Sequence, residues 1–543
     1  MEKRTLLAIA IAFVVLGFYP VVLQQFYPEY GKPAKRTVDS SAASPSSQPA
    51  RTESPAFLAV PTETFAEGSD IALENESLKL LFNQDASLVR EAHFKKFPDS
   101  ATDKPIRFFS LDRALGGPFE VRILDGSRFS EVNFSYKTLR GADGSVLSTG
   151  SANGLEVSKS VLWSRSGYDG KFSLSIKNTS GEPLDLRCQI YAGSSIHPLQ
   201  SIDGQYIEAN FGRRFDGKTE IKHIKETKSG KIVESPWNVD WVALKDRHFA
   251  AILKPGPGAI FTGRAEGLGQ NLSAASLVSG AIRLGPGQVW TQEFTAYIGP
   301  TELARLEPLG LGDIVNFGKL DWIGKLLVGA MELLHTIFRN YGVAIIMLTT
   351  LINILLFPLT RLSYMSMKRM QLIQPHMNKL REQHKKTPEK LNKEMMELYK
   401  KHKVNPFGGC LPMILQMPVF IALYVALSKA VILRNSSFLW VTDLSSPDRV
   451  SLPFSLPFLG NSLHVLPLIM IAGMVLQQKI SQVKVEGQDP AIEMQQKMMA
   501  IMMPIVFGFI FYTMPAGLVL YWLTNTIIMT LYQWRLKSMT LSL

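Results

Sequence analysis

Thr349 and Asn353 stand one helical turn apart inside the apolar run Tyr341 to Leu359. Similar polar groups recur in later apolar stretches: Gln416 and Ser428, then Gln477 and Gln478, then Tyr521, Thr524, Asn525 and Thr526. A polar side chain surrounded by hydrocarbon must find a partner or water. Two chemistries meet that demand. The residues either join helices through hydrogen bonds worth about 1 kcal/mol each, or line a wet groove that lends hydrogen-bond partners to something passing through. Spacing alone leaves both open. Methionines pose the same choice, at Met365, Met367 and Met370, at Met413 and Met417, and at Met498, Met499, Met502 and Met503. Flexible thioethers fill irregular cores, and they also suit surfaces that accept many apolar partners.

Covalent or metal chemistry has no signature here. The chain contains no Gly-x-Ser-x-Gly, no phosphate-cradling lysine loop and no His-Glu-x-x-His. An intramembrane protease needs a nucleophile beside a base, or a metal. Cys188 and Cys410 offer neither a disulfide framework nor ligand spacing. His335, His376, His384, His402 and His464 form no cluster in sequence and read as surface or interface residues. His248 and Asp246 with Glu208, Glu234 and Asp240 could be grouped as a carbohydrate-processing site, but carboxylates scattered over a β-domain are ordinarily solvated surface. No catalytic residue, cofactor site or metal ligand is expected.

The elements that must position these groups fall into two unlike parts. The 543 residues exceed one ordinary domain, and 46% hydrophobic content averages a polar half with an apolar one. A basic tetrapeptide start and the apolar run Leu6 to Leu23, with no small-residue cleavage site after it, predict an uncleaved N-terminal transmembrane anchor over 1–27. A Ser-, Pro- and Ala-rich stretch over 28–61 reads as a flexible linker. Over 62–305 apolar and polar residues alternate, as in Leu155, Val157, Val161 and Trp163, then Phe172, Leu174 and Ile176 between Ser173, Ser175 and Lys177. Turn signals Asp125-Gly126, Asp143-Gly144 and Asp169-Gly170 punctuate the runs, predicting a large antiparallel β-sandwich. Residues 306–340 carry Phe317, Leu320, Ile323, Leu327, Ala330, Leu334 and Ile337 at helical spacing, the pattern of an amphipathic helix lying in a membrane interface.

From 341 to 543 five apolar stretches follow, over 341–359, 410–433, 463–480, 498–512 and 517–534, which with the N-terminal run make about six crossings. The segment 361–404 bears Arg361, Lys368, Arg369, Lys379, Arg381, Lys385, Lys386, Lys390, Lys393, Lys400, Lys401 and Lys403 against Glu382, Glu389, Glu394 and Glu397. Such an excess marks the cytoplasmic side. Alternation then puts both termini in the cytoplasm and the β-domain outside. The formal net charge of +12 is thereby explained by loop position rather than by nucleic-acid binding. Within the basic segment, Leu362 to Gln383 and Pro388 to His402 read as a helical hairpin broken at Lys385-Lys386-Thr387, with Thr387 as cap and Pro388 in the first turn.

Several of these segments match a known family. Phe357-Pro-Leu-Thr360, Gln374-Pro375, Val404-Asn-Pro-Phe-Gly-Gly-Cys410, Leu415-Gln-Met-Pro-Val-Phe-Ile-Ala-Leu-Tyr424, Asp489-Pro490, Gln495-Gln-Lys-Met498 and Pro515-Ala-Gly-Leu-Val-Leu-Tyr521 resemble, in order and spacing, the YidC/Oxa/Alb family of membrane protein insertases, in its long Gram-negative form. Trp241-Val-Ala-Leu-Lys-Asp-Arg-His-Phe249 and Tyr297-Ile-Gly-Pro300 resemble the family's periplasmic domain, which implies a β-supersandwich. The resemblance implies an inner-membrane insertase and chaperone, not an enzyme. It would work without ATP through a hydrophilic groove open to cytoplasm and lipid, alone or with the Sec translocon. Thr349, Asn353, Gln416, Met417, Phe420, Tyr521, Trp522 and Asn525 become expected groove residues, with Met413 a further client contact. Lys385, Lys386, Lys400 and Lys401 of the hairpin, residues 481–497 and the basic tail Arg535 to Lys537 become candidate contacts for ribosomes or incoming chains. Expected partners are nascent membrane proteins, the Sec translocon, ribosomes and membrane lipids, with no specific nucleic acid. One departure stands out: the family usually carries an arginine five residues before the proline of Pro-Leu-Thr, and here that position is Asn353. Two other readings remain at this point, a transporter or channel and a membrane-tethered carbohydrate enzyme acting through 62–303.

Overall fold

Period-2 burial builds the first half of the molecule. In the strand Leu155–Trp163 the alternate residues Leu155, Val157, Val161 and Trp163 are buried, and in Asp169–Asn178 the same holds for Phe172, Leu174 and Ile176. The two strands pair antiparallel with Phe172 opposite Val161 and Ile176 opposite Val157, so both apolar rows face one core. The computed structural model describes residues 70–537 except 86, 100–103, 112–115, 126–129, 197–202, 217, 226–229, 270–271, 385–386, 403–410, 457–459 and 482–489. The expected N-terminal anchor, the linker, Lys385, Lys386, Cys410 and the Met413 side chain lie outside the described residues.

Two large antiparallel sheets form the layers. One has nine strands, from Lys218–Ile224 through Glu208–Phe215, Trp241–Lys245, Phe249–Pro255, Val289–Pro300, Asp169–Asn178, Leu155–Trp163 and Val146–Ala152 to Tyr136–Arg140. The other has seven, with Phe261–Gly269, Leu272–Ser279 and Leu184–Ser194 at its centre. A four-stranded meander from Asp70–Glu74 to Pro105–Ser110 adds to the core through Phe82, Phe94 and Phe108. The sheets approach closely where Gly263 faces Phe211: a Cβ there would lie 2.7 Å from the ring. This is the β-sandwich that the alternation predicts. One turn signal is wrong. Asp169-Gly170 opens a strand, and the glycine is there because a Cβ would lie 2.4 Å from the Trp163 indole. Asp143-Gly144 does turn, with Gly144 at φ 84° and Asp143 Oδ1 accepting from Ser145 N at 3.0 Å.

A buried lysine holds two turns of this domain. Lys159 Nζ donates to the carbonyls of Ser87 (2.6 Å) and Phe119 (3.3 Å), residues that both sit in the left-handed region, at φ 51° and 68°. Its charge also lies over the Tyr136 ring at 4.0 Å.

Short turns over 303–320 lead into helix α1, Asp321–Phe338, a shorter helix than the pattern over 306–340 predicts. It has two apolar faces. Leu327 and Met331 are buried against the bundle and Gly324 against Phe317, whereas Trp322, Leu326, Leu333 and Ile337 form an outward stripe, each at least 62% exposed. Of the apolar face expected to lie in an interface, Phe317 and Leu327 are buried within the protein, whereas Ile337 lies on the outward stripe. Helix α2, Tyr341–Gln383, starts at Asn340, whose Oδ1 accepts from Val343 N at 3.1 Å. It runs unbroken through Pro358 and Pro375, which corrects the expected separation of a span from a hairpin helix at 360–361. Each proline removes one backbone donor, a loss a helix with tertiary support absorbs.

Helix α3, Pro388–Lys401, folds back on α2, with Ile373 and Met377 packed against Met395, Leu398 and Tyr399, and with His384 Nε2 2.9 Å from Glu394 Oε2. Thr387 occupies the cap position without a side-chain cap bond, contrary to expectation, so Pro388 alone marks the start. Helices α4, Leu411–Lys429, α5, Val465–Ser481, α6, Pro490–Phe511, and α7, Ala516–Lys537, complete the bundle around Leu348, Leu423, Met470, Phe511 and Leu518. Among the described residues one helical stretch, Tyr341–Ser366, is long and apolar enough to cross a bilayer by length and composition; Gln416–Lys429, Val465–Ile480 and Ile501–Phe511 are shorter apolar stretches.

Candidate functional site

The polar residues of the bundle sort into two groupings. On α2, Thr349 Oγ1 donates to Ile345 O at 2.6 Å, and Asn353 Nδ2 donates to Thr349 O at 2.9 Å. Both side chains are buried and satisfied by their own helix. Between α4 and α7 the bond is interhelical: Gln416 Nε2 donates to the Tyr521 hydroxyl at 2.8 Å. Tyr521 is itself fully buried. One turn further along α7, the Asn525 Oδ1 is buried and has no partner among the described residues.

Aromatic rings stand beside the Gln416–Tyr521 bond. Trp522 meets Phe420 edge-on at 5.1 Å between centroids and lies 5.2 Å from Phe507 and 5.1 Å from Phe511, which joins α4, α6 and α7. Met417 projects from the same stretch of α4 with half of its surface exposed.

The second grouping is a crevice of about 340 Å³ between α2 and α7, lined by Thr350, Asn353, Ile354, Phe357, Thr360, Ile528, Met529 and Tyr532. Asn353 forms part of its wall. Tyr532, packed edge-on against Phe357 at 5.1 Å, keeps its hydroxyl buried with no partner among the described residues. Tyr521, Asn525, Ile528 and Tyr532 share one face of α7 by their spacing of four, three and four residues. That spacing is a signal from which Ile528 and Tyr532 could have been chosen. Phe507 and Phe511 carry no such mark, because an apolar helix with no polar face does not say which side meets a partner.

The remaining expected residues are placed as follows. Lys400 and Lys401 are exposed in the last turn of α3, opposite Glu389 in its first turn, an arrangement that suits the helix dipole. Among the described residues no group of three or more His, Cys, Asp or Glu could hold a metal. The β-domain acids do not form one site. Glu208, Asp246 and His248 are buried rather than solvated, each for its own structural reason. Glu208 pairs with Lys245 at 3.2 Å and with His223 at 3.4 Å, which hold its carboxyl well below the usual range despite burial. Asp246 Oδ1 accepts from His248 N (2.8 Å) and Phe249 N (2.7 Å). Asp240 accepts from Arg214 N, and Glu234 is exposed.

Comparison with known proteins follows the same division of the chain. The profile of the YidC periplasmic domain matches residues 70–330, and that of the 60Kd inner membrane protein family matches 333–542. A membrane protein insertase YidC of Pelobacter propionicus is 32% identical over 556 residues, covering 97% of each chain. One from Francisella philomiragia is 34% identical over 420 residues, covering 74% of this chain and 72% of the relative. The solved structure of an active YidC insertase with its first transmembrane domain resolved aligns at 17% identity and a TM-score of 0.38, over 89% of this chain and 95% of that one.

Proposed function

Because this chain belongs to the YidC family of membrane protein insertases, we propose that its polar seam between α4 and α7 and the Asn353 wall of α2 together make a groove that shelters the hydrophilic part of a client. The chain is an inner-membrane insertase with a periplasmic β-sandwich, and its substrates are membrane proteins. The observation that carries the groove is the buried Asn525 Oδ1, without a partner among the described residues, one turn from the Gln416–Tyr521 bond. A buried acceptor left without a donor costs about 1–3 kcal/mol. Water or a passing peptide N–H relieves that cost.

Insertion then needs no chemical step. A client's polar terminus or loop enters halfway, where Gln416, Tyr521, Asn525 and Asn353 replace some of its lost water. Its apolar segment gains about 25 cal/mol per Å² on entering lipid, and the membrane potential helps draw acidic segments outward. Asn353 stands where relatives usually hold arginine, so this groove attracts clients by hydrogen bonding rather than by fixed charge. Met417 and Phe420 offer an adaptable apolar wall for client helices.

The topology we infer has about six crossings, both termini in the cytoplasm and the β-sandwich in the periplasm; the basic residues of 361–404 support that orientation. The outward stripe of α1 then lies in the outer interface. Chaperone action, work beside the Sec translocon on larger clients, and ribosome contact through Lys385, Lys386, Lys400 and Lys401 belong to the same proposal, and family membership, the basic sequence of the hairpin and the exposure of Lys400 and Lys401 support them.

Depletion of this protein from its host tests the proposal, read by protease accessibility of a newly made small client with a short outer loop. Insertion should be lost and should return with a copy lacking most of residues 62–303. Rescue by Asn353→Ala as complete as wild type for every client would remove Asn353 from the groove.

A further inference from the structure

We propose that the crevice between α2 and α7 is a phospholipid site, taking one acyl chain between Ile354, Phe357, Ile528 and Met529 and the phosphate of an anionic headgroup between Arg361 and the Tyr532 hydroxyl. This inference rests on α2 and α7 spanning the membrane.

Three observations support it. First, the crevice opens outward from the bundle: Ile354 is 65% exposed and Phe357 43%, so lipid chains have access to an apolar slot of about 340 Å³. Second, Arg361 lies on the same face of α2, one turn beyond Phe357 and two beyond Ile354. It follows Tyr341 by about 20 residues, a rise of roughly 30 Å, so it reaches the headgroup level when Tyr341 sits at the opposite boundary. Third, the two helices supply no counter-charge. Helix α2 contains no acid before Glu382, and α7 contains none at all. The Arg361 charge acts on the Tyr532 hydroxyl, which is buried at the crevice end and without a hydrogen-bond partner among the described residues.

Guanidinium and phenol are both donors, and the Tyr532 hydroxyl has no acceptor among the described residues. A phosphate diester supplies acceptor oxygens to each, and its covalently attached chain fills the slot beside them. A free phosphate ion leaves the slot empty. The preferred headgroup is phosphatidylglycerol, because a choline group partly neutralises its own phosphate.

Native mass spectrometry of the full chain, released from detergent containing either phosphatidylglycerol or phosphatidylcholine, tests the site. Wild type should retain one phosphatidylglycerol about tenfold more strongly than phosphatidylcholine, the effect of a charge-assisted hydrogen bond. The pair Arg361→Gln and Tyr532→Phe should abolish that preference, Arg361→Lys should keep most of it, and Ile528→Trp, which fills the slot without touching the phosphate donors, should lose bound lipid of both kinds. Equal retention of the two lipids by wild type, or unchanged retention in the double and the Trp variants, overturns the site. So does a photoreactive residue at Ile354 that captures client chains and no lipid. Carbonate extraction separates this failure from that of the membrane topology: a chain that stays membrane-integral but shows no lipid preference loses only the lipid site, whereas an extracted chain overturns the topology itself.

Discussion

Arg434 Nη1 lies 3.4 Å from His248 Nδ1, joining the segment after α4 to the turn between two strands of the β-sandwich. Both side chains are buried. Around them, Arg247 donates to the carbonyls of Ser428 and Ser445 (3.1 Å for the latter), Asn435 Nδ2 donates to Pro98 O at 2.8 Å, and Lys429 Nζ donates to Asn316 O at 2.8 Å. The sandwich is thus tied to the bundle by arginine, lysine and asparagine donors that reach backbone carbonyls and the His248 ring. An arginine can only donate, so Nδ1 accepts and His248 is neutral, with its remaining proton on the buried Nε2.

That arrangement makes the junction acid-labile. Burial, then the charges of Arg247 and Arg434, hold His248 well below its ordinary 6.5. A histidine that binds its proton less readily when docked than when free favours docking above about pH 6.5, and the advantage drains away as pH falls toward the docked value. Spin labels at the exposed positions Ile260 and Leu439 should report one narrow distance at pH 7.5 and a broadened one near pH 5. His248→Gln keeps an acceptor for Arg434 and should make the distance independent of pH over that range.

Lys159 predicts a slope of the same sign in a higher pH window. Burial depresses it to about 7 from the ordinary 10.5, so the unfolded chain binds more protons than the folded one between those values, and stability should rise with pH across that window. Lys159→Met removes the charge and also the donors to the left-handed turns at Ser87 and Phe119. At pH 9, where the lysine is largely neutral, the variant should be less stable by about 1–3 kcal/mol for two unpaired acceptors. At pH 6 the deficit should shrink, because wild type then bears the cost of a buried charge. Thermal unfolding followed by β-sheet circular dichroism measures both.

These residues also mark how far the sequence was legible. Strand alternation in 155–178 is a strong signal because each alternate residue meets the same core, and it located the sandwich. Asp169-Gly170 misled because a glycine demanded by the neighbouring Trp163 looks, in one dimension, like a glycine demanded by a turn. The basic residues from Arg361 onward misled in another way: they mark a change of surroundings, but a change in side-chain charge does not interrupt the backbone hydrogen bonds of α2. His248 and Arg434 are 186 positions apart, and neither helix nor strand periodicity connects them, so the junction could only be found in three dimensions. The polar set Thr349, Asn353, Gln416, Tyr521 and Asn525 could be picked out because polarity inside apolar runs is rare. Which of them bond across helices could not, since that depends on helix rotation.

The outward stripe of α1 yields a test of its membrane contact. Trp322, Leu326, Leu333 and Ile337 recur at helical spacing on the face away from the bundle. A nitroxide at Leu326 in the reconstituted protein should be more accessible to oxygen than to a water-soluble nickel complex. Leu333→Glu with Ile337→Glu should reverse that ratio, since each change removes about 1.5–3 kcal/mol of apolar burial. A nitroxide already exposed to water in the unmutated protein would exclude the interfacial placement.

Gln416→Ala and Tyr521→Phe break the same 2.8 Å bond from opposite ends, and this separates a structural role from a client-facing one. If the bond only fastens α4 to α7, each variant loses about 1 kcal/mol of stability, the double variant loses little more than either, and insertion of all clients declines together with thermal stability. A groove gives a different pattern. Gln416→Ala leaves the Tyr521 hydroxyl free to bond a client, whereas Tyr521→Phe leaves the Gln416 amide free, so both variants should retain partial insertion while the pair loses both partners. Insertion of a client with a polar outer loop should then fall severalfold more in the double variant than in either single one, roughly the tenfold expected for 1.4 kcal/mol. A client consisting of an apolar helix with a short tail should be little affected. Rates for the two clients, set beside the melting temperature of each variant, decide between fastening and sheltering.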